Sequence, residues 1–283
     1  MKSVQDKIIL SNGYGIPCVG FGTYKAEGEE AAKCVRQAVR CGYRHVDTAA
    51  FYHNEEGVGA GIRDCGLPRE ELFLTSKVWN TQRGYDRTLQ SFEQSVKRLG
   101  VEYLDLYLIH WPANEKQFGR EADAINADTW RALERLYQEG CVRAVGVSNF
   151  MKHHLERLEK TADIRPMVNQ IEYHPGWGQE ETVLYCRQNG ITVEAWSPLG
   201  RKAVLEDETL TAIAESHGVT AAQVCLRWEL QHGIVPLPKS VNESRMKENA
   251  DIFGFELDRE QMHRIDSLHG IGGQCVNPDE VDF

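Results

Sequence analysis

One feature constrains the fold of this chain more than any other: eight short, strand-like runs alternate with segments of helical periodicity. Several runs are almost continuously apolar, which is typical of parallel strands that are covered on both faces. Because eight βα units in succession close into a ring, the pattern predicts an α/β fold, a (β/α)8 TIM barrel. The runs are VGFGT from Val19, YRHVDTA from Tyr43, LFLTSKV from Leu72, YLDLYLIHW from Tyr103, VRAVGVSN from Val142, PMVNQIEY from Pro166, TVEAWSP from Thr192 and IVPLPKS from Ile234.

The segments between the runs carry helix signals. Leu89, Phe92, Val96 and Leu99 recur at the spacing of one helix face. Several of the helical patterns end at a glycine just before the next strand, where glycine can adopt the left-handed cap conformation at little steric cost. These glycines are Gly42, Gly100, Gly140 and Gly190.

Two departures from a simple repeat are expected. Asn12 and Gly13 lie between apolar runs ahead of the first barrel strand, which predicts a β-hairpin that caps the bottom of the barrel. The segment between the last two strands is long enough for two helices, EDETLTAIAESHG and TAAQVCLRWELQHG. The alternative fold, a doubly wound open sheet, predicts a glycine fingerprint after the first strand, and none is present. We therefore expect residues 1–283 to form one barrel domain.

Composition and charge exclude several classes of protein. The 283 residues have a formal net charge of −10, which argues against a nucleic-acid-binding or anionic-membrane surface. The start, MKSVQDKIIL, is too polar for a signal peptide, and the longest apolar run is too short to span a bilayer, so we expect a cytoplasmic protein. The eight cysteines are scattered without a C-x-x-C pair, which predicts free thiols.

Two motifs carry little functional weight. The glycines of GVGAGIR, from Gly57, miss the G-x-G-x-x-G spacing and follow a predicted helix start, so we interpret them as positions of close helix packing. In KHHLE, His153 and His154 are adjacent, and adjacent helical residues point in different directions. We interpret these histidines as surface residues and predict no metal site.

Polar residues stand at or near the carboxyl ends of most predicted strands. In a (β/α)8 barrel these ends open onto one face, where active sites are built. Taken singly, Asp47 and Lys77 can be explained as an ion pair and His110 as a core histidine. Because so many buried polar groups would be costly without a purpose, we interpret the whole set as a functional site. Its members are Asp47, Lys77, His110, Ser148, Asn149, Gln170, Trp196, Lys239 and Ser240.

Six motifs support a more specific interpretation. They are, in chain order, GYRHVDTAAFYHNEEGVG, LYLIHWP, VGVSNF, NQIEYHP, EAWSPL and PKSVNESRMKEN. Together they resemble the motifs of the aldo-keto reductases, and the likeness runs nearly end to end. The short segment between Pro112 and Trp130, the NPDEVDF tail and the EAWSPL form are most similar to the compact microbial branch, which includes 2,5-diketo-gluconate and methylglyoxal reductases.

The catalytic tetrad of that family carries over onto Asp47, Tyr52, Lys77 and His110. The resemblance implies that Tyr52 is the general acid, which protonates the substrate oxygen as hydride moves from the nicotinamide to the carbonyl carbon. A cation beside a phenol lowers its pKa, so we expect Lys77 to bring the pKa of Tyr52 toward the range of a working proton donor. Asp47 would hold Lys77 in place, and His110 would orient the carbonyl and stabilise charge on its oxygen.

The resemblance also implies an NADPH/NADP+ cofactor. Ser148, Asn149 and Gln170 would hold the carboxamide, and Trp196 would lie flat against the nicotinamide ring, where many relatives carry tyrosine.

The phosphate end of the cofactor is expected at the last loops of the barrel. Asn242 is a predicted N-cap, and a helix N-terminus attracts phosphate. Lys239 and Arg245 supply cations that favour a 2′-phosphate, and hence NADPH over NADH, whereas an acidic residue on the ribose would favour NAD. The resemblance maps further cofactor contacts onto Gly22, Thr23, Ser197, Leu199, Ser240, Val241, Glu248 and Asn249.

An apolar substrate pocket is expected between Tyr24, Trp79 and Trp111, with His110 and Tyr52 as its polar end. The short tail predicts less of a lid over this pocket than in longer relatives. These features favour NADPH-dependent reduction of small dicarbonyls, aldehydes or keto sugars to alcohols. Because members of the family are often monomers, we also expect a monomer.

Two other functions are compatible with parts of the pattern. A non-catalytic NADP(H)-binding regulatory subunit would share the fold, although such a sensor has no need of the intact tetrad. A lyase could form a Schiff base on Lys77, but the adjacent Asp47 would keep the amine protonated and unreactive.

Overall fold

The chain begins with a hairpin that covers one end of the molecule. The computed structural model describes residues 1–283. Strands β1 (Lys7–Ile9) and β2 (Gly15–Pro17) pair antiparallel around the turn at Asn12 and Gly13. The Asn12 side chain donates to the carbonyl of Arg143, and the Tyr14 hydroxyl donates to Asp105 at 2.7 Å. Both partners lie at the amino ends of barrel strands, so the predicted hairpin cap at the barrel bottom is confirmed.

Eight parallel strands follow, each paired with its neighbours in chain order. Two backbone hydrogen bonds then join the first barrel strand to the last, from Gly20 N to Pro236 O and from Gly22 N to Pro238 O. These bonds close the sheet into the predicted (β/α)8 barrel. The strands are β3 (Phe21–Gly22), β4 (His45–Asp47), β5 (Phe73–Val78), β6 (Leu104–Ile109), β7 (Val142–Ser148), β8 (Val168–Glu172), β9 (Thr192–Trp196) and β10 (Val235–Pro236).

Helices connect the strands and form the outer layer. Two of them, α8 and α9, separate β9 from β10, as the length of that segment predicts. Gly42, Gly100, Gly140 and Gly190 all have positive φ after their helices, so each supplies the expected helix end. The helices are α1 (Gly28–Arg40), α2 (Glu55–Arg63), α3 (Tyr85–Leu99), α4 (Glu115–Phe118), α5 (Ala122–Gln138), α6 (Lys152–Leu158), α7 (Glu180–Gln188), α8 (Glu208–His217), α9 (Ala221–Gln231), α10 (Glu243–Ala250) and α11 (Arg259–Asp266).

The GVGAGIR glycines lie in α2, where it packs between α1 and α3. A Cβ on Gly57 would overlap the carbonyl oxygen of Gly28, and a Cβ on Gly59 would overlap that of Leu99. A Cβ on Gly61 would come within 2.7 Å of Val35 Cβ. The interpretation as close helix packing is therefore confirmed.

Two further features concern the cysteines and the helices. All eight cysteines are free. None of the helices has the length and apolar character that a membrane crossing requires.

Candidate active site

The carboxyl ends of the barrel strands gather the predicted polar residues on one face. Asp47 ends β4, Lys77 is the second-last residue of β5, and His110 directly follows β6. Because parallel strands present their carboxyl ends at the same side of the barrel, residues distant in sequence become neighbours here. Gly22, Ser148 and Trp196 end β3, β7 and β9, Gln170 lies in the middle of β8, and Lys239 and Ser240 follow β10.

Lys77 connects three members of the predicted tetrad. Its Nζ atom lies 2.7 Å from Asp47 Oδ1, 3.1 Å from the carbonyl oxygen of Thr48 and 3.3 Å from Tyr52 Oη. Lys77 is fully buried and Asp47 nearly so. The fourth member, His110, packs edge-on against the Tyr52 ring, with ring centroids 5.7 Å apart. The structure therefore brings all four residues together.

The ammonium group of Lys77 is stabilised where it lies. Burial alone would lower the pKa of Lys77, but the negative charge of Asp47 and the hydrogen bonds to Asp47 and Tyr52 outweigh it, so the pKa is raised. A lysine that must act as a nucleophile needs a lowered pKa. The surroundings of Lys77 therefore oppose the Schiff-base alternative.

The expectation for the Tyr52 hydroxyl needs correction. Lys77 lowers the pKa of Tyr52 as expected, but burial of the hydroxyl has the larger effect and Asp47 adds to it, so the pKa lies above its usual value. The sequence gives no measure of burial, so the predicted direction of the net pKa shift of Tyr52 was wrong. Tyr52 therefore holds its proton more firmly than a free tyrosine, while the charge of Lys77 favours the phenolate form.

His110 is a neutral imidazole at this site. Burial, with a smaller contribution from the Lys77 charge, holds the pKa of His110 well below its ordinary value. Its Nδ1 atom is buried without a hydrogen-bond partner. A neutral ring carries one N–H, which can donate to an oxygen in the cleft.

Trp196 and the amide residues form a connected wall beside the tetrad. Trp196 Nε1 donates to Asn149 Oδ1 at 2.8 Å, and Asn149 Nδ2 donates to the carbonyl oxygen of His110 at 2.9 Å. The Ser148 hydroxyl donates to the backbone carbonyl of Gln170 at 2.7 Å. These bonds hold the indole and the amide in fixed positions around one opening.

Gln170 also contacts a residue to which the sequence assigned no role. Its Nε2 atom donates to Asp47 Oδ2 and to Glu194 Oε2, both at 2.9 Å. Glu194 lies two residues before Trp196 on β9 and is fully buried. The available signal was an acidic residue inside an apolar strand, on the same face as the tryptophan.

The segment from the end of β10 into helix α10 carries two cations and a capped helix N-terminus. The Asn242 side chain accepts hydrogen bonds from the backbone N–H groups of Ser244 and Arg245, so the predicted N-cap is confirmed. Lys239 and Arg245 are exposed and form no salt bridge within the protein. Glu248 accepts from the Thr220 hydroxyl, and so joins α10 to α9.

The other predicted cofactor residues lie around the same opening. Thr23 is buried, and its hydroxyl donates to the backbone carbonyl of Asp47 at 2.9 Å. Ser197 has a φ of 53°, which turns the chain sharply after β9. Val241 is exposed, whereas Asn249 is buried on α10. Leu199 is partly buried against the core.

Aromatic side chains line the cleft above Tyr52 and His110, as predicted. Tyr24 lies 4.9 Å from Tyr52 between ring centroids. Trp79 lies 5.0 Å from His110 and stacks on Phe51 at 3.8 Å. Phe51 was not predicted, although it directly precedes Tyr52 in the sequence.

The tail reaches this cleft. The Phe283 ring stacks on Trp79 at 5.9 Å and meets Trp111 edge-on at 5.3 Å. The Asn114 side chain donates to the carbonyls of Pro278 and Val281. A tail can therefore be short and still cover the cleft, because buried side-chain amides hold its backbone in place.

The His153 and His154 pair differs from its expected arrangement. The two rings lie 4.0 Å apart, and both Nε2 atoms contact Asp279 Oδ1, at 3.1 and 3.0 Å. The tail thus brings a carboxylate between histidines at the first turn of α6, and His154 is buried rather than on the surface. His154 Nδ1 accepts from the Met151 N–H, which places the ring proton on Nε2 and leaves no lone pair there for a metal.

Comparison with known proteins agrees with this geometry. The model of the aldo/keto reductase family matches residues 18–269. The chain is 54% identical over 282 residues to glyoxal reductase of Bacillus subtilis, covering 99% of each protein, and 38% identical over 278 residues to methylglyoxal reductase DkgA of Escherichia coli, covering 98% of this chain and 97% of the other. The crystal structure of a Gox0644 mutant in complex with NADPH superposes with a TM-score of 0.91, at 42% identity and 99% coverage of both chains. These similarities confirm the resemblance drawn from the motifs, and the chain belongs to the aldo/keto reductase family.

Proposed function

We propose that this protein is a cytoplasmic, NADPH-dependent reductase that converts small aldehydes and ketones to alcohols, with Tyr52 as the proton donor. The observation that carries the proposal is the contact series from the buried pair Asp47 and Lys77 to the partly buried Tyr52, at 2.7 and 3.3 Å. The names of two relatives, glyoxal reductase and methylglyoxal reductase, support small dicarbonyls as the substrate class.

The residues present fit a nicotinamide cofactor. The half-buried Trp196 offers a flat face beside the tetrad, held by its bond to Asn149. Gln170 has both amide protons engaged and its Oε1 free of protein partners, which leaves an acceptor for a carboxamide N–H. At the other end, Lys239, Arg245 and the start of α10 suit a phosphate. The NADPH-bound relative supports the same assignment.

Tyr52 performs the proton transfer in this proposal. The bound cofactor supplies hydride to the carbonyl carbon. As negative charge develops on the carbonyl oxygen, Tyr52 donates its proton to that oxygen and becomes a phenolate. Lys77 Nζ lies 3.3 Å from the phenolic oxygen, so its ammonium group stabilises this phenolate at the moment it forms. Asp47 keeps Lys77 charged and fixed in position.

His110 orients the substrate. Because its imidazole is neutral, it donates one hydrogen bond to the carbonyl oxygen without competing with Tyr52 as an acid. Together the two donors bind that oxygen, and the aromatic walls exclude water from the reacting carbon.

Arg245 and Lys239 underlie the preference for NADPH. Both are exposed cations without acidic partners. The Asn242 side chain caps the N-terminus of α10 next to them and so keeps it ordered. A 2′-phosphate placed there gains charge-assisted hydrogen bonds that NADH lacks.

The test is steady-state NADPH oxidation with methylglyoxal and with an aromatic aldehyde. We expect Tyr52→Phe to lower kcat by roughly a hundredfold or more, which is the range of general acid catalysis, while NADPH still binds. Tyr24→Phe is the matched control, since it removes a hydroxyl from the same cleft without touching Lys77. Turnover of Tyr52→Phe at the wild-type rate would exclude Tyr52 as the donor, and tight NADPH binding without turnover of any carbonyl would favour a regulatory subunit.

A further inference from the structure

Glu194 occupies an unusual position for a carboxyl group. It lies in the middle of β9, is fully buried and forms no salt bridge with lysine or arginine. Its Oε2 atom accepts from Gln170, while Oε1 has no hydrogen-bond partner and lies 3.7 Å from His45 Nε2. Burying a carboxyl group that has a single hydrogen-bond partner costs folding free energy. We therefore look for a functional reason for its position.

The only hydrogen bond that the Glu194 side chain makes is to the Gln170 side chain. The two residues are direct neighbours across β8 and β9. A glutamine amide has two N–H donors and one acceptor oxygen. Glu194 accepts a hydrogen bond from one of the two N–H groups, and Asp47 accepts a hydrogen bond from the other. Because both N–H groups bond to carboxyl oxygens, the Gln170 amide cannot rotate without losing two buried hydrogen bonds. Its Oε1 atom is therefore held facing away from Asp47 and Glu194.

We propose that Glu194 is a positioning residue for the cofactor, because it orients the Gln170 amide so that Oε1 accepts from the nicotinamide carboxamide. This inference rests on the proposed function, since it takes Gln170 as a nicotinamide contact. Glu194 itself touches neither cofactor nor substrate. It acts through Gln170 alone, from a position below the site on the neighbouring strand.

The electrostatics of the barrel interior agree with this role. Burial, reinforced by the nearby Asp47 charge, raises the pKa of Glu194 to about 8. The side chain is therefore a neutral acid at neutral pH and adds no second negative charge beside Asp47, which Lys77 alone neutralises. Burial likewise lowers the pKa of His45 to about 3, so the nearest histidine brings no positive charge. A neutral carboxyl still accepts from Gln170 through its carbonyl oxygen.

The test compares two ligands that differ only in the nicotinamide: NADPH and 2′-phospho-ADP-ribose. We expect Glu194→Met, which removes the acceptor at similar volume, to weaken NADPH binding about tenfold or more and to leave 2′-phospho-ADP-ribose binding unchanged. Glu194→Gln keeps an acceptor oxygen and should bind both ligands within about threefold of the wild type. Titration calorimetry measures both dissociation constants.

Two further variants make the result decisive. Glu229→Met, the matched control, removes another fully buried carboxyl, on α9, and should change neither constant. If Glu194→Met does not fold, Glu194→Asp withdraws the acceptor by one methylene and should show the same selective loss. In a Gln170→Leu background the Glu194 substitution should have no additional effect, because its partner is gone.

Three results would overturn the inference: unchanged NADPH binding in the folded Glu194 variants, equal weakening of both ligands, or a loss in Glu194→Gln as large as in Glu194→Met. Failure of the wild type to bind either ligand would instead reject the proposed function, and the role of Glu194 with it. The two failures are therefore distinguishable from the wild-type titration alone.

Discussion

At the scale of single residues, the site depends on one buried cation that serves several partners. Lys77 is the only ammonium group in contact with Asp47, and it also contacts Tyr52. Removing one member of a buried pair leaves an uncompensated charge, which typically costs about 3–5 kcal/mol. The same contacts fix the positions of Asp47 and Tyr52 in the barrel, so we expect substitutions here to affect folding and activity together.

The pH dependence of stability should reveal the neutral state of Glu194. Its pKa is about 8 in the folded protein, against an ordinary value of 4.5, so the folded state binds the extra proton between these values. The stabilisation is therefore complete below about pH 4.5 and is lost as the pH rises toward 8. Relative to Glu194→Gln, the wild type should lose on the order of 1 kcal/mol of unfolding free energy per pH unit in this window. Urea unfolding of both proteins measures the difference, and a difference independent of pH would contradict the assignment.

At the scale of secondary-structure elements, helix packing and helix ends determine where the elements next to the site lie. Helix α2 begins three residues after Tyr52, and its glycines let it approach α1 and α3 closely. Helix α10 begins at the Asn242 cap beside the two free cations. The position of α2 depends on the small size of its glycines, and the start of α10 depends on the capping side chain of Asn242. Neither position depends on a chemically reactive group.

Replacing Gly59 tests the packing of α2. Gly59→Ala adds a methyl group against the backbone carbonyl of Leu99, which cannot move aside as a side chain could. Alanine favours helix, but overpacking should prevail, and we expect a loss of about 1–3 kcal/mol in unfolding free energy. Gly254→Ala is the control, because its Cβ meets nothing within 4 Å and the position does not require a positive φ. Equal stabilities of the two variants in urea unfolding would refute the packing explanation.

At the scale of the whole molecule, distant parts of the chain complete the cleft together. The first and last barrel strands close the sheet through Gly20 and Gly22. The tail returns across the same face, where Asn80 donates to the carbonyl of Phe283 at 2.9 Å. The aromatic residues of the predicted substrate pocket therefore come from the segments after β5 and β6 and from the tail.

Removing the tail's aromatic ring should change substrate selection more than chemistry. Phe283 contacts Trp79 and Trp111 but none of the tetrad residues. We expect Phe283→Ala to raise KM for an aromatic aldehyde several-fold more than for methylglyoxal, because the larger substrate loses more apolar contact area, while kcat changes little. Leu184→Ala, an exposed apolar residue on α7, should leave both constants unchanged. Equal shifts of KM for both substrates would contradict a role in selection.

The sequence alone determined the barrel, its hairpin and the set of strand-end residues. These follow from local information: apolar runs predict strands, i and i+3 spacing predicts helices, and the βα repeat leaves one topology whose carboxyl ends converge. Asp47, Lys77 and His110 could be identified because a polar residue at the end of an apolar strand stands out in the sequence itself.

Only the tertiary structure decided the net pKa shift of Tyr52, the buried contact between Glu194 and Gln170 and the path of the tail. Each depends on what surrounds a side chain from parts of the chain far away in sequence. Burial of the Tyr52 hydroxyl outweighs the charge of Lys77, Gln170 connects Asp47 with Glu194 across the barrel interior, and Asn114 holds the tail against the cleft. Desolvation and hydrogen bonding at long range depend on three-dimensional surroundings, and residue spacing carries no measure of them.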